Sequence, residues 1–256
     1  MYKNRVVVNI LGKNVEIQEI PFFYLKSLIK DISYNNNITE SFESLISFTC
    51  HDNDLNYLEK IIVLLHLRTL TYGDELEFTV NKKDNATVNI NDIIDIFDTN
   101  YNRLNYEHNN VIYTFDYPKK INLNESKINF IADSLVEVNG KTVIGDISDR
   151  IDILPAINFI DVFDRIISSF YEKEFNFKIN NTKITLLNIL YFIKSIFSVD
   201  MVKMYDMEYT LRKYLNFNTE DFKTVSLPEC KILLNCYISD QKKQEQQSNQ
   251  QLKDSS

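Results

Sequence analysis

The sequence predicts an α+β fold that is mostly helical, with an N-terminal β-hairpin and a β-rich central insert. Apolar residues recur at helical spacing before residue 73 and after residue 147, whereas they alternate with polar residues in between. The chain has 256 residues, enough to bury one sizeable core or two small ones. We therefore expect an N-terminal hairpin with helices (1–73), a β-rich insert (74–146), a helical region with a short hairpin (147–240) and a disordered tail (241–256).

The N-terminal segment combines one hairpin with three helices. Two β-rich runs, 6–10 and 15–17, flank a turn that contains Gly12 and Asn14, which favours a hairpin. Pro21 is tolerated in the first turn of a helix and opens a short one. The predicted helices span 21–30, 39–48 and 55–71.

The helix at 55–71 has the strongest pattern of the chain. Asn53 and Asp54 are plausible caps for its start, and Gly73 is suited to end it. The run 61–65 is apolar on all sides, so the middle of this helix should be buried on several faces.

The insert changes to alternating spacing after Gly73. A strand and its hairpin partner are predicted on either side of a polar turn at 81–85. Their apolar positions are Leu76, Phe78 and Val80 on the first strand and Ala86, Val88 and Ile90 on the second. The pattern further predicts a strand at 111–115, a hairpin at 136–143 and some helix near 93–97.

Helical spacing returns at Ile147 and is interrupted at Pro155. A second amphipathic helix then has its apolar face on Ile160, Phe163, Ile167 and Phe170. Alternation at Phe175, Phe177 and Ile179 leads into a turn at 180–181, and the last predicted helices span 185–197, 201–215 and 227–239. The tail 241–256 has almost no apolar residues, which predicts disorder.

Composition argues against several classes of function. The net charge is −8, whereas nonspecific binding to phosphate backbones needs clustered Lys and Arg, so no nucleic-acid partner is expected. Only 4 Gly are present and they are scattered, which excludes a glycine-rich phosphate loop and leaves no predicted cofactor. No run approaches the roughly 18 apolar residues of a membrane span. An odd, sparse set of 3 Cys favours a reducing cytoplasm over a disulfide framework.

No arrangement of His and Cys predicts a catalytic or metal site. His51 and His108 lack an accompanying nucleophile motif, and His66 lies in an apolar helix, where a core or boundary position is expected. Cys50 is adjacent to His51, but zinc sites need four ligands at wider spacing. Cys230 and Cys236 stand about 240° apart around a helix, so they do not face a common ion.

Clustered carboxylates leave one enzymatic alternative. The candidates are Asp146, Asp149, Asp152, Asp161, Asp164, Glu220 and Asp221. Two such acids could serve a glycosidase if one lay in an apolar pocket. Solvated roles explain them better: Asp161 precedes Arg165 by four residues, and Glu220 and Asp221 lie in a first helical turn.

The stretch 201–238 is the most informative part of the chain. Tyr205, Tyr209 and Tyr214 accompany Met204, Met207 and Leu211 at helical spacing. Such residues usually form core, and they can also form an adaptable partner-binding surface. Ser226 and Glu229 fit a capping box, with Pro228 in the first turn of the last helix.

The order of these features resembles the baseplate hub subunit, or hub assembly chaperone, of T-even-like contractile-tailed phages. The similar motifs, over residues 15–240, are the helix 55–71 with 73–78 after it, the strand ending at 115–118, the stretches 153–170 and 175–192, the helix around 205–209 and the start at 227–229. Two departures stand out. Cys230 replaces an Arg that many relatives keep, and the β-turns lack the paired cysteines of some relatives, so no family metal site carries over.

The resemblance implies a non-enzymatic role in forming the baseplate hub. The expected partners are other hub proteins and the tape-measure protein, met in the host cytoplasm during assembly. The predicted partner-binding residues are Tyr205, Met207, Tyr209 and Glu229. The alternatives are a structural subunit retained in the virion baseplate and, from the carboxylates above, a hub-associated glycosidase.

Overall fold

The chain folds as an α+β protein in which helix predominates. A computed structural model describes residues 5–34, 38–51, 54–80, 84–119, 126–154, 159–173, 178–179, 182–197 and 201–254. About 62% of the structure is helix and 18% is strand, which confirms the predicted fold class. Predictions that fall on Pro155, on Phe175 and Phe177, and on the turn at 180–181 lie outside the described residues.

The N-terminal hairpin forms as the sequence predicted. Strands β1 (Arg5–Ile10) and β2 (Lys13–Gln18) pair antiparallel, with Val8 opposite Val15. Leu11 and Gly12 both have positive φ, which is the geometry of a tight two-residue hairpin turn. Three helices follow: α1 (Phe22–Tyr34), α2 (Ile38–Thr49) and α3 (Tyr57–Tyr72).

Helix α3 is the central helix of the molecule, and its N-cap differs from the prediction. Asn56, not Asp54, caps it. The Asn56 side chain accepts from the Glu59 backbone amide at 2.9 Å, and Glu59 Oε2 accepts from the Asn56 backbone amide at 2.8 Å. A polar side chain can cap only when it stands immediately before the first turn, and Asp54 is too early. Gly73 ends the helix as predicted, and residues 61–65 are all buried.

The insert contains more structure than the alternation indicated. Strands β3 (Glu75–Val80) and β4 (Asp84–Asn89) pair with Leu76 opposite Val88, as predicted, although Asp84 and Asn85 belong to β4 instead of the turn. Helix α4 (Ile90–Asn100) starts at Ile90 because the Asn89 side chain caps it.

A four-stranded antiparallel sheet completes the insert. It runs in the order β5 (Leu104–His108), β6 (Val111–Phe115), β7 (Leu135–Val138) and β8 (Lys141–Thr142), with helix α5 (Lys127–Ser134) between β6 and β7. Strand β5 was not predicted, because it has few β-branched residues and its side chains are at most half-buried.

The C-terminal region is helical with one very short hairpin. It contains α6 (Ile147–Ile153), α7 (Phe159–Ile166) ending in a π-helical turn (Ile167–Tyr171), β9 (Lys178–Ile179) paired with β10 (Thr182–Lys183), α8 (Ile189–Phe197), α9 (Met201–Leu215), α10 (Thr219–Phe222) and α11 (Leu227–Asp254). The predicted bounds of α9 agree with the structure. Helix α8 begins four residues later than predicted, because Asn188 accepts from the Thr185 amide and holds a turn there.

The tail is a correction to the prediction of disorder. Helix α11 continues to Asp254 and includes most of the segment 241–256. Low apolar content predicted that this segment has nothing to bury, and its side chains are exposed through residue 247. Gln, Lys and Glu are good helix formers, however, and the segment has neither Gly nor Pro to stop a helix already begun.

One continuous core joins all three segments and positions the C-terminal helices. Phe22 of α1 packs against Phe222 of α10 with ring centroids 5.4 Å apart, and its amide donates to the Val225 carbonyl at 2.7 Å. Pro21 pairs with Ser226 through an isolated antiparallel bridge. These contacts fix the start of α11 to the N-terminal helices, and α9 lies between α1 and α11.

Candidate functional site

Helix α9 has an inward apolar face and an outward aromatic face. Met204 and Leu211 are buried in the core. Tyr205 is 50% exposed and Tyr209 is 61% exposed, and Val202 on the same side is also exposed. At about 100° per residue, this outward set lies away from the direction of Met204 and Leu211. The tyrosines are therefore not core residues, and they form a surface.

An ion-pair network holds α9 against α1. The Glu208 carboxylate pairs with the Lys26 ammonium through one oxygen and accepts from Arg212 Nε at 3.0 Å and Nη2 at 2.8 Å through the other. Burial alone would raise the pKa of Glu208, but the bonds from Lys26 and Arg212 outweigh it and lower that pKa. The Lys26 ammonium also lies 4.6 Å from the Tyr205 ring centroid. The base of the aromatic surface is thus fixed before any partner binds.

A lysine lies across the aromatic surface where α9 meets α11. The Lys213 ammonium is 4.9 Å from the Tyr214 ring centroid and 5.4 Å from that of Tyr209. The Tyr214 hydroxyl, and then that of Tyr209, raises the pKa of Lys213, so the ammonium is charged at neutral pH. Tyr214 stacks on Tyr237 of α11 with centroids 5.1 Å apart. This stack connects the aromatic side chains of α9 with those of α11.

The first turns of α11 extend the surface with aliphatic side chains. Ile232 is 61% exposed, and Leu233 and Ile238 are also exposed. The helix starts at a firm cap, in which Glu229 Oε2 accepts from the Ser226 amide at 2.7 Å. We call the exposed apolar and aromatic side chains of α9 and of the first turns of α11, with Lys213 lying across them, the α9–α11 surface. They are Val202, Tyr205, Tyr209, Tyr214, Ile232, Leu233 and Ile238.

The predicted partner-binding residues do not all share this surface. Tyr205 and Tyr209 lie on it, one helical turn apart. Met207 is half-buried and packs against the core from another side of α9, and the Glu229 carboxylate is occupied by the cap of α11. The prediction omitted Val202 and Lys213. Val202 shares the i, i+3, i+7 spacing of Tyr205 and Tyr209, which is the signal that could have found it.

A second feature is a charged cleft of about 270 Å³ between the N-terminus of α3 and the four-stranded sheet. Lys13 Nζ lies 2.6 Å from Glu59 Oε1. Arg103 bridges two carboxylates, with Nε 3.3 Å from Asp116 Oδ2 and Nη1 2.7 Å from Glu137 Oε1. These charges are already paired with one another.

Most remaining charges of the cleft also have partners, although the buried Nε of Arg150 has none among the described residues. Lys119 pairs with Asp54, and its amide donates to Asp133 Oδ2 at 2.9 Å. The Lys119 hydrogen bond and charge lower the pKa of Asp54, the opposite of what a general acid needs. Arg150 Nη1 donates to the carbonyls of Asp133 and Leu135, both at 3.2 Å. The cleft therefore binds the N-terminal helices to the sheet, and a charged ligand would have to break these pairs.

The carboxylates considered for glycoside hydrolysis lie elsewhere. Asp146 and Asp149 form the capping box of α6, Asp161 pairs with Arg165, Glu220 pairs with Lys223, Asp221 helps to cap α10, and Asp152 and Asp164 are exposed. None of them is among the described residues that line the charged cleft. Their roles are those of helix caps and surface pairs.

The His and Cys side chains also lie apart from a reactive arrangement. His66 is half-buried on α3, and burial lowers its pKa. Cys50 and Cys230 are buried, and burial raises the pKa of Cys230 to about 12, which keeps it a thiol. Within the described ranges, no group of three or more His, Cys, Asp and Glu side chains is placed to hold a metal ion.

No protein-family model matches the sequence, and no curated protein or solved structure matches it significantly. In the part of the chain that the structure describes, each helix is too short or too polar to cross a bilayer. The observations that bear on function are thus the α9–α11 surface and the order of motifs along the chain.

Proposed function

We propose that this chain is a non-enzymatic assembly protein that acts in forming the baseplate hub of a contractile-tailed phage. It binds other polypeptides through the α9–α11 surface. The observation that carries the proposal is the outward placement of Tyr205, Tyr209 and Tyr214, each about half exposed, on a helix whose other face is locked into the core. Tyrosine is enriched in protein interfaces because it supplies a large apolar area with a polar tip.

The surface is supported by contacts of α9 with both neighbouring helices, and such support favours specific binding. Glu208 ties α9 to α1, and the Tyr214–Tyr237 stack ties it to α11. Side chains that are already ordered lose less conformational entropy when a partner binds, so more of the contact energy appears as affinity. A contiguous exposed apolar patch on a folded protein commonly marks an interaction site.

The choice of system comes from the resemblance in motif order. The sequence motifs of α3, the following hairpin, α9 and the start of α11 resemble, in their order, those of T-even-like hub proteins. On this proposal the partners are other hub components and the tape-measure protein, and the chain acts in the host cytoplasm during assembly. The charged cleft gives the glycosidase alternative no support, because its carboxylates are occupied by ion pairs and backbone donors.

Co-expression with hub and tape-measure proteins tests the proposal. The double variant Tyr205→Ala with Tyr209→Ala should lose the complex while its thermal unfolding stays near that of the wild type, because both rings are largely exposed. The matched control is Tyr34→Ala with Tyr191→Ala, since these tyrosines are more exposed and lie on α1 and α8. Complexes that survive the first pair of changes would refute the assignment.

Mass spectrometry of purified particles then separates a transient helper from a retained subunit. A helper should be absent from the finished virion, whereas a structural component should be present in fixed ratio to the other hub proteins.

A further inference from the structure

Lys213 is a cation of the α9–α11 surface, and no carboxylate of the described residues forms an ion pair with it. Lys26 and Arg212 both pair with Glu208, whereas the groups around the Lys213 ammonium are the rings and hydroxyls of Tyr209 and Tyr214. An ammonium on aromatic rings retains most of its capacity to donate hydrogen bonds, because the rings contact only one side of it. The α9–α11 surface thus presents an available donor between two tyrosine rings.

The local charge around this donor is positive although the chain is acidic. The cations of α9 and its neighbour on α1 are Lys26, Lys203, Arg212 and Lys213, against the carboxylates Asp206 and Glu208. The net charge of the whole chain is −8. At physiological salt the Debye length is about 8 Å, so a bound partner responds mainly to the local charges.

We propose, building on the protein-binding function above, that the partner of the α9–α11 surface is an acidic amphipathic helix. One of its carboxylates binds the Lys213 ammonium between the two tyrosine rings. Its apolar side chains pack on Val202, Tyr205 and Tyr209, which extend over about two helical turns, roughly 10 Å. An apolar stripe flanked by acids matches this surface in both shape and charge.

Single-stranded nucleic acid is the other ligand that uses exposed rings beside a cation. Such binding needs a track of several cations to follow the phosphates. Here Lys26 and Arg212 share Glu208, and among the described cations of this surface only Lys213 lies on exposed rings without a carboxylate. The charge pattern therefore favours a carboxylate on a protein segment.

The test uses defined probes and the full chain. The first is a synthetic peptide of about four helical turns with Leu at i, i+4 and i+7 and Glu on the flanks. The second replaces each Glu by Lys, and the third is oligo(dT). Binding is followed by fluorescence anisotropy. The variants are Lys213→Glu and the control Lys141→Glu, which changes the net charge equally but lies exposed on β8 of the four-stranded sheet.

The wild type should bind the Glu peptide at least about fivefold more tightly than the Lys peptide, the size of one good exposed ion pair. Lys213→Glu should abolish or reverse that preference, and Lys141→Glu should leave it unchanged. Equal losses in both variants, a preference for the Lys peptide, or binding of no peptide would overturn the proposal.

Binding of oligo(dT) that depends on Lys213, without binding of the Glu peptide, would assign the surface to nucleic acid instead. A failure of the acidic-partner proposal is distinguishable from a failure of the proposed protein-binding function. The tyrosine variants in co-expression test protein binding itself, whatever the charge of the partner.

Discussion

The two halves of the α11 capping box should contribute unequally to stability. Glu229 Oε2 accepts from the Ser226 amide at 2.7 Å, a short charge-assisted bond. In the other direction, the Glu229 amide donates to Ser226 Oγ at 3.5 Å, the outer limit of a hydrogen bond. Sequence alone gives the reverse expectation, because the Ser side chain is the N-cap proper.

The distances set the expected magnitudes. Glu229→Ala leaves the amide of the buried Ser226 without its acceptor and removes a carboxylate from the positive end of the helix, at a cost of about 1–2 kcal/mol. Ser226→Ala loses only the long bond and should cost about 0.5 kcal/mol. Glu229→Gln keeps an acceptor oxygen and should fall between wild type and Glu229→Ala.

Urea unfolding followed by circular dichroism measures all three variants. A destabilisation of 1 kcal/mol corresponds to about 2–4 °C in Tm for a chain of this size, so a thermal scan gives a second readout. A Ser226→Ala variant that loses as much stability as Glu229→Ala would refute the reasoning from distances. Glu229 was also predicted to bind the partner, and Glu229→Gln separates the two roles: a folded variant that loses the complex would show that the carboxylate contacts the partner.

Three further predictions concern other parts of the fold. Burial lowers the pKa of His66, so the unfolded state takes up a proton more readily than the folded state. Stability should therefore fall as the pH drops below about 6.5. The variant His66→Leu should flatten the dependence of Tm on pH between about 5 and 6.5. Gly145→Ala should lower the free energy of unfolding in urea by about 1–3 kcal/mol, because φ is +131° and the new Cβ would lie 2.5 Å from Asp149 Oδ2. The control Gly140→Asn has open space around the new side chain and should lower the free energy of unfolding only slightly. Maleimide should label only Cys236 in the native protein and all 3 Cys after denaturation, which intact-mass spectrometry can count.

Local signals made much of the fold predictable. The hairpin at the N-terminus was visible because Gly12 supplies a positive φ between two β-rich runs. The bounds of α9 and the start of α11 were visible because apolar periodicity and a capping box both act within one or two turns.

Features that depend on distant contacts were not predictable. Strand β5 has a weak pattern of its own, and it exists because β6 pairs with it. The charged cleft joins Lys13, Arg103 and Lys119, which are far apart in the sequence. Spacing also could not decide whether the tyrosines of α9 face inward, since apolar residues occupy both sides of that helix.

Helix α9 separates the residues that stabilise the core from those that the proposed function assigns to recognition. Leu211 is fully buried, so Leu211→Ala should cost about 2–5 kcal/mol, whereas Tyr209 is largely exposed and its loss should cost little. Because Glu208 holds Lys26 and Arg212 at the base of the surface, changes on the outward face need not disturb the inward one. Binding at this surface can therefore change through the tyrosines and Lys213 while the core that supports them is conserved in structure.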